Sequence, residues 1–196
     1  MTITRNILIT FAVYVFSYWL WRALILSPIT AIDDLGSLIF LPHGIRLLSV
    51  ILFGWVGVIG SLLGAIFSPY IVLMNAEPLS IYDFGETCAG ALAPILSIFM
   101  LRWAGLWNHA FNSKQIFKAL SLKLLMLVIF LSSFLNAFLS NLITAANAEV
   151  EFRSPITIVN FLIGDIVGAL IVITLAIMVS IGFNRYKKVL SSSNKK

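Results

Sequence analysis

The sequence has little charge, a single cysteine and no polar segment long enough to form a soluble domain. Aspartate, glutamate, lysine and arginine make up 11% of the 196 residues, whereas 60% are hydrophobic and the mean hydropathy is +1.03. So little charge cannot cover the surface of a water-soluble domain of this length. The lone Cys88 excludes an intramolecular disulfide and a cysteine-based metal site. The composition therefore predicts an all-α, polytopic membrane protein.

Six hydrophobic runs approach the roughly 20 residues that a membrane helix needs. We predict spans at 7–26, 37–53, 58–74, 83–102, 121–143 and 156–183. Residues 1–183 are expected to form a single membrane domain, and residues 184–196 a basic, disordered cytoplasmic tail. Only residues 54–57 separate the second and third runs, and their two glycines predict a tight turn in a helical hairpin.

The distribution of charge predicts the orientation. With the N-terminus in the cytoplasm, ten of the thirteen basic residues and no acidic residue fall in cytoplasmic segments. The other loops carry acidic pairs, Asp33 with Asp34 and Glu149 with Glu151. Both termini are therefore expected inside. The same asymmetry accounts for the net charge of +5 without a nucleic-acid partner, and the lysines near Lys114 are expected to face the lipid bilayer.

Ionisable and amide side chains interrupt the apolar runs, mostly in the outer half of the predicted bundle. They are Arg22, His43, Arg46, Glu86, Asn136, Asn141, Asn160 and Asp165. A charge at the bilayer centre costs at least about 2.5–3.5 kcal/mol, so we expect pairs between helices, above all Arg46 with Asp165. Glu86 is expected to pair with Arg22 or His43. Two interpretations stay open: ion pairs that lock the packing, or a polar cavity that binds a ligand.

Small residues mark the expected helix contacts. Two Gly-xxx-Gly faces allow close approach of helices, and a glycine turn joins the hairpin; the residues are Gly54, Gly57, Gly60, Gly64, Gly164 and Gly168. The sequence has no metal-ligand pattern, phosphate loop or nucleophile–base set. We therefore expect no metal, no cofactor and no enzymatic activity.

Two stretches resemble a known family. LPHGIRLLSVILFGWVGVIGSLLGAIFS, at 41–68, is similar to the early signature of the MASE1 family of bacterial integral membrane sensory domains, through Pro42, Gly44, Gly54 and Gly64. FLIGDIVGALIVITLA, at 161–176, resembles the closing helix of that family through its Gly-Asp pair and later glycine. The resemblance implies a multi-pass sensor of the bacterial inner (cytoplasmic) membrane.

Members of this family usually pass their signal to a cytoplasmic output module, and this sequence carries none after its last span. The resemblance therefore implies a partner protein in the membrane or at its inner surface, with a small ligand as the expected signal. Two alternatives remain: a transport component resembling the substrate-binding subunit of an energy-coupling-factor transporter, or a structural subunit of a larger membrane complex.

Overall fold

The computed structural model describes residues 2–26, 38–74, 77–108, 121–146 and 155–193, and these residues form an all-helical bundle. The predicted acidic loop residues Asp33, Asp34, Glu149 and Glu151, and the basic residue Lys114, lie outside these ranges. The helices are α1 (Thr2–Trp21, continued by a π-helical turn Arg22–Leu26), α2 (Leu41–Phe53), α3 (Trp55–Leu73), α4 (Ile81–Trp103), α5 (Leu122–Ala146) and α6 (Pro155–Ser193).

Five of these helices, all except α2, are long and apolar enough to cross a membrane. Helix α2 has 13 residues and is about 20 Å long at 1.5 Å per residue, against a hydrocarbon core of about 30 Å. The predicted run of 37–53 therefore becomes helical only from Leu41. Pro42 is compatible with this start, because it lies in the first turn of the helix, where its missing N–H would have no partner within the helix.

Helix α6 is longer than predicted. It continues to Ser193, past the expected end at Phe183 and into the segment predicted to be a disordered tail. Residues 184–193 contain no glycine or proline, and their arginine and lysines are good helix formers.

Helix α2 lies at the centre of the bundle. Ten of its 13 residues are buried, whereas only 17% of the membrane-length window of α1 is buried inside the protein. It packs against α1, α3 and α6, and it also contacts α4 and α5. The shortest helix is thus the one that the five long helices surround.

A tight turn at Gly54 joins α2 to α3, as the two glycines predict. Gly54 has a positive φ of 61°, and its N–H donates to the Val50 carbonyl at 2.8 Å. Gly57 lies directly on the backbone of Ser49, where a Cβ atom would overlap the Ser49 carbonyl. The backbones of α2 and α3 therefore stay in contact through the first helical turn on either side of Gly54.

Helix α2 runs parallel to α6, and their backbones touch. The Phe40 N–H donates to the Gly164 carbonyl at 2.9 Å. One turn further along, Gly44 lies against Gly168 and Val172. A Cβ atom at Gly168 would overlap the Phe40 carbonyl, so this contact requires glycine. Gly164 and Gly168 hold the start of α2 deep inside the bundle.

The remaining helices alternate in direction. Helices α1 and α3 are parallel, because Thr10 lies against Gly60 and Tyr14 against Gly64. Helices α4 and α5 are antiparallel, because the start of α4 meets the end of α5 through a hydrogen bond from Thr144 to Glu86. The bundle therefore has a lower half, where α2 ends at Phe53 and α5 begins, and an upper half, where α4 and α6 begin.

Each half has its own interior. An apolar core fills the lower half with residues of α2, α4, α5 and α6, among them Leu47, Val50, Ile51, Ile95, Ile98, Val128, Ile129 and Ile173, all 0–2% exposed. The upper half buries most of the charged and amide side chains of the interior, beside a smaller apolar cluster around Tyr14 and Leu41. At the top of α4, Ser80 and Asp83 form a capping box, which satisfies the first N–H groups of that helix.

Candidate functional site

A cluster of four buried polar side chains lies where α2, α5 and α6 meet. Asp165 and His43 are 0% exposed, Asn136 is 1% and Arg46 is 7%. The Asn136 Nδ2 donates to the Asp165 Oδ2 at 2.5 Å, and the His43 Nδ1 lies 3.6 Å from the same oxygen. The sequence singled out all four residues, and the structure brings them together.

His43 connects the other two helices of the cluster. Its Nε2 lies 3.2 Å from the Ser132 hydroxyl and 3.5 Å from the Ser133 hydroxyl, both on α5. Its Nδ1 faces Asp165 on α6. One ring therefore fixes the position of α2 relative to both α5 and α6.

The predicted ion pair between Arg46 and Asp165 is not formed in the described part of the chain. His43, one turn earlier on α2, takes the position next to the carboxylate. The Arg46 guanidinium instead lies 5.5 Å from the ring centre of Tyr14 and 5.8 Å from that of Phe40. Its Nη1 lies against Gly90 of α4, where the missing side chain leaves room for it. Two aromatic faces thus stabilise this cation, where a carboxylate was expected.

The start of α2 packs against the stretch of α6 that carries Asp165. Asp165 lies between Gly164 and Gly168, the residues that hold the first turn of α2. The N-terminus of a helix carries a partial positive charge, which stabilises a nearby carboxylate by roughly 0.3–2 kcal/mol. The site therefore combines a carboxylate, a guanidinium, an imidazole and a helix N-terminus.

The cluster lies well below the upper ends of α5 and α6. About 15 Å, at 1.5 Å per residue, separates Asp165 from the start of α6 at Pro155. A similar distance separates Asn136 from the end of α5 at Ala146. In a hydrocarbon core about 30 Å thick, this depth is near the centre.

Three buried polar atoms of the cluster have no hydrogen-bond partner among the residues that the structure describes: His43 Nδ1, Arg46 Nε and Asp165 Oδ1. An unsatisfied buried polar group costs about 1–3 kcal/mol, and a network that serves only packing is normally satisfied. The unpartnered atoms belong to three adjacent side chains. They offer both donors and an acceptor to a polar group that enters the cluster.

A buried polar stripe runs along α5 from the cluster toward the upper end. Its members are spaced four residues apart and are 0–4% exposed: Ser132, Asn136, Ser140 and Thr144. At its upper end the Thr144 hydroxyl lies 2.6 Å from the Glu86 Oε1 of α4. Reasoning from the sequence identified only Asn136 in this stripe. The regular four-residue spacing of polar side chains in an otherwise apolar helix would have revealed the others.

The other predicted polar residues lie around the cluster. Asn141 is buried, its Nδ2 donates to the Ala137 carbonyl at 2.7 Å, and its Oδ1 has no partner. Glu86 is half-buried at the top of α4. Arg22 and Asn160 are half-buried near the upper ends of α1 and α6. Neither is a hydrogen-bond or ion-pair partner of His43 or Asp165 among the described residues.

A large apolar groove is separate from the cluster. It has a volume of about 790 Å³ and lies between α1, α2 and α6, lined by residues such as Val13, Leu48 and Leu175. These aliphatic side chains offer no recognition of a polar ligand. Across the described ranges, no three histidine, cysteine, aspartate or glutamate side chains lie close enough to hold a metal ion.

An all-helical bundle with five apolar helices of membrane-spanning length indicates a multi-pass membrane protein. No family model, curated protein or solved structure matches the chain. The features that bear on function are therefore the cluster and its surroundings.

Proposed function

We propose that this protein is a membrane-embedded sensory protein of the MASE1 type, which binds a small polar ligand at the cluster of His43, Arg46, Asn136 and Asp165. The observation that carries the proposal is the set of unpartnered atoms on three of these residues, buried well below the upper ends of α5 and α6. Ionisable groups inside a membrane are rare, and they usually mark binding sites or transport pathways.

The unpartnered atoms suggest the kind of ligand. The Arg46 Nε is a donor, the Asp165 Oδ1 is an acceptor, and the His43 Nδ1 is either one according to its tautomer. A ligand with a donor and an acceptor a few ångströms apart matches this set. A purely apolar molecule would leave all three atoms unsatisfied.

We propose six membrane crossings, with both termini in the cytoplasm of a bacterial cell and the upper half of the bundle facing outward. The alternating helix directions support this topology, because α2 runs parallel to α6 and antiparallel to α3. The second crossing would consist of the short helix α2 together with the chain that precedes it. The positive-inside distribution of charge agrees with this orientation.

Helix α2 would transmit the signal. It supplies two of the four ligand-binding side chains and contacts every other helix. A ligand that draws His43 and Asp165 together would move α2 relative to α6, and Gly54 would carry that shift to the lower end. A partner protein in the membrane or at its inner surface would then read the change.

The test is to identify what copurifies. The full chain is extracted in mild detergent and examined by native mass spectrometry, beside Asp165→Asn and the control Glu77→Gln, which alters an exposed carboxylate. We expect a bound small molecule on the wild type and the control and its loss from Asp165→Asn. A monomer that carries neither a small molecule nor a protein would overturn the proposal.

One observation favours a second candidate, a small-molecule transport component. The N-terminus of α2 lies deep in the bundle beside the polar cluster, and half-helix termini of this kind bind substrate in many transporters. A copurifying ATPase and ligand uptake into proteoliposomes would favour transport, whereas a copurifying signalling protein would favour sensing.

A further inference from the structure

We infer that the polar stripe on α5 is an access route along which water and small uncharged hydrogen-bonding solutes reach the cluster from the upper face. The inference rests on the proposed function, since it specifies how the ligand enters. It goes further by assigning a role to Ser140, Asn141 and Thr144, which lie between the cluster and the upper end of α5.

The stripe is continuous in space. Ser132, Asn136, Ser140 and Thr144 follow one another at intervals of one helical turn, and at 1.5 Å per residue they cover about 18 Å. Ser132 contacts His43 and Asn136 contacts Asp165, so the lower end of the stripe is the cluster. Thr144 lies near the end of α5, so the upper end reaches the top of the bundle.

The stripe retains hydrogen-bonding capacity that the protein does not use. The Asn141 Oδ1 is buried without a partner next to Ser140. The single Thr144 hydroxyl proton has two acceptors within reach, the Glu86 Oε1 at 2.6 Å and the Ser140 carbonyl at 3.0 Å. Rotation of the Thr144 hydroxyl from the Glu86 Oε1 to the Ser140 carbonyl would remove this hydrogen bond between α4 and α5 without breaking either helix.

The groups along the route define what passes. Between Glu86 and Asn136 the described members of the stripe are neutral hydroxyl and amide groups. These groups can replace the hydrogen bonds that an uncharged solute loses when it leaves water. They do not compensate for the free energy needed to desolvate an ion. The carboxylate of Glu86 at the upper end additionally disfavours anions.

Cysteine labelling tests the route. In a Cys88→Ala background, Ser140→Cys is compared with Ser68→Cys, a matched control on α3. Both serines are buried, at 2% and 0% exposure, and both lie about 8–9 Å from the upper end of their helix. A neutral reagent, hydroxyethyl methanethiosulfonate, is added to vesicles of either orientation, and modification is read by mass.

We expect the neutral reagent, added from the upper face, to modify Ser140→Cys at least about tenfold faster than Ser68→Cys, since only a hydrated thiol ionises to the reactive thiolate. The anionic sulfonatoethyl reagent should modify Ser140→Cys more slowly than the neutral reagent does. Glu86→Gln removes a negative charge at the upper end and should reduce the difference between the two labelling rates. Asn141→Cys serves as a second reporter at the same depth in case Ser140→Cys does not fold.

Equal rates at Ser140→Cys and Ser68→Cys, or faster labelling from the lower face, would overturn the route. Its failure is separable from failure of the proposed function. A ligand detected by native mass spectrometry together with an unreactive Ser140→Cys leaves the binding site intact and removes only the route. If Ser140→Cys is labelled rapidly but no ligand is detected, the access route is supported and the proposed ligand binding is contradicted.

Discussion

The lower and upper halves of the bundle bury different chemistry between the same helices. In the lower half, α4 and α5 meet through side chains such as Ile98 and Ile129. In the upper half the same two helices meet through Gly90, Asn136 and the hydrogen bond from Thr144 to Glu86. Helix α5 thus changes from an apolar to a polar inner face within one continuous element.

The difference matters because lipid tails are as apolar as the lower core. Burial of Ile129 between helices gains little over its burial in lipid, so the lower half depends on close packing. The upper half depends on hydrogen bonds between buried polar side chains, and removal of one partner leaves the other unsatisfied. The polar half is therefore the part of the bundle in which the two interpretations, ion pairs and hydrogen bonds that lock the packing or a site that binds a ligand, make different predictions.

The largest effect is expected at Asp165, where the two halves meet. Asp165→Ala removes the acceptor of Asn136 and the neighbour of His43, and it leaves the buried Asn136 donor without this partner. Breaking a buried charged network costs about 3–5 kcal/mol. Thermal unfolding in detergent should show a large loss of stability for Asp165→Ala and almost none for Glu77→Ala.

A double-mutant cycle distinguishes the observed contact of Asp165 with Asn136 from the ion pair with Arg46 that the sequence predicted. Asn136→Ala combined with Asp165→Ala should give a coupling energy within the range of about 0.5–3 kcal/mol found for residues in contact. The corresponding cycle for Arg46 and Asp165 should give a smaller value. A larger coupling for Arg46 would restore the direct ion pair and contradict the arrangement described above.

The sequence was sufficient to locate the helices, because hydrophobic runs of membrane length are a strong pattern. It also identified the four residues of the cluster, since charged and amide side chains are conspicuous in such runs. It did not give the pairing, because depth along a helix says nothing about rotation around it. Arg46 and Asp165 matched in depth, but His43 faces the carboxylate.

Two further features needed the structure. The predicted second span became a short buried helix that starts at Leu41, and the backbone contact between Phe40 and Gly164 is invisible to hydropathy. The stripe was overlooked because serine and threonine are unremarkable in membrane helices. Their importance lies in the shared face of Ser132, Ser140 and Thr144, which burial makes evident.

The lower half gives the second-largest prediction. Ile129 is 1% exposed, so Ile129→Ala opens a cavity in a tightly packed core and should cost about 2–4 kcal/mol. The adjacent Phe130 is 52% exposed at the rim of the bundle, and Phe130→Ala should cost much less. Unfolding of both variants in the same detergent tests this. Equal losses would mean that the lower half is not held by close packing.

The parallel contact of α2 with α6 gives an intermediate effect. Gly168→Ala places a methyl group on the Phe40 carbonyl and should force the start of α2 away from Asp165, at a cost of about 1–3 kcal/mol. Gly182→Ala, on the same helix with open space around its Cα, should be neutral or slightly stabilising, since alanine favours helix more than glycine. Gly168→Ala should also lose the copurifying ligand, whereas a purely structural contact would cost stability and leave the ligand bound.

The smallest effect is expected at the upper end of the stripe, and it tests whether the upper half is built for stability at all. Thr144→Val keeps the shape of the side chain and removes the hydroxyl that contacts Glu86. Hydrogen bonds between membrane helices average about 0.6 kcal/mol, so thermal unfolding should change only slightly. Access should change more, because the valine side chain would present only methyl groups to water at the upper end and slow the labelling of Ser140→Cys by the neutral reagent. A large loss of stability with unchanged labelling would show that Thr144 holds α4 and α5 together, and that the polar half serves packing like the lower one.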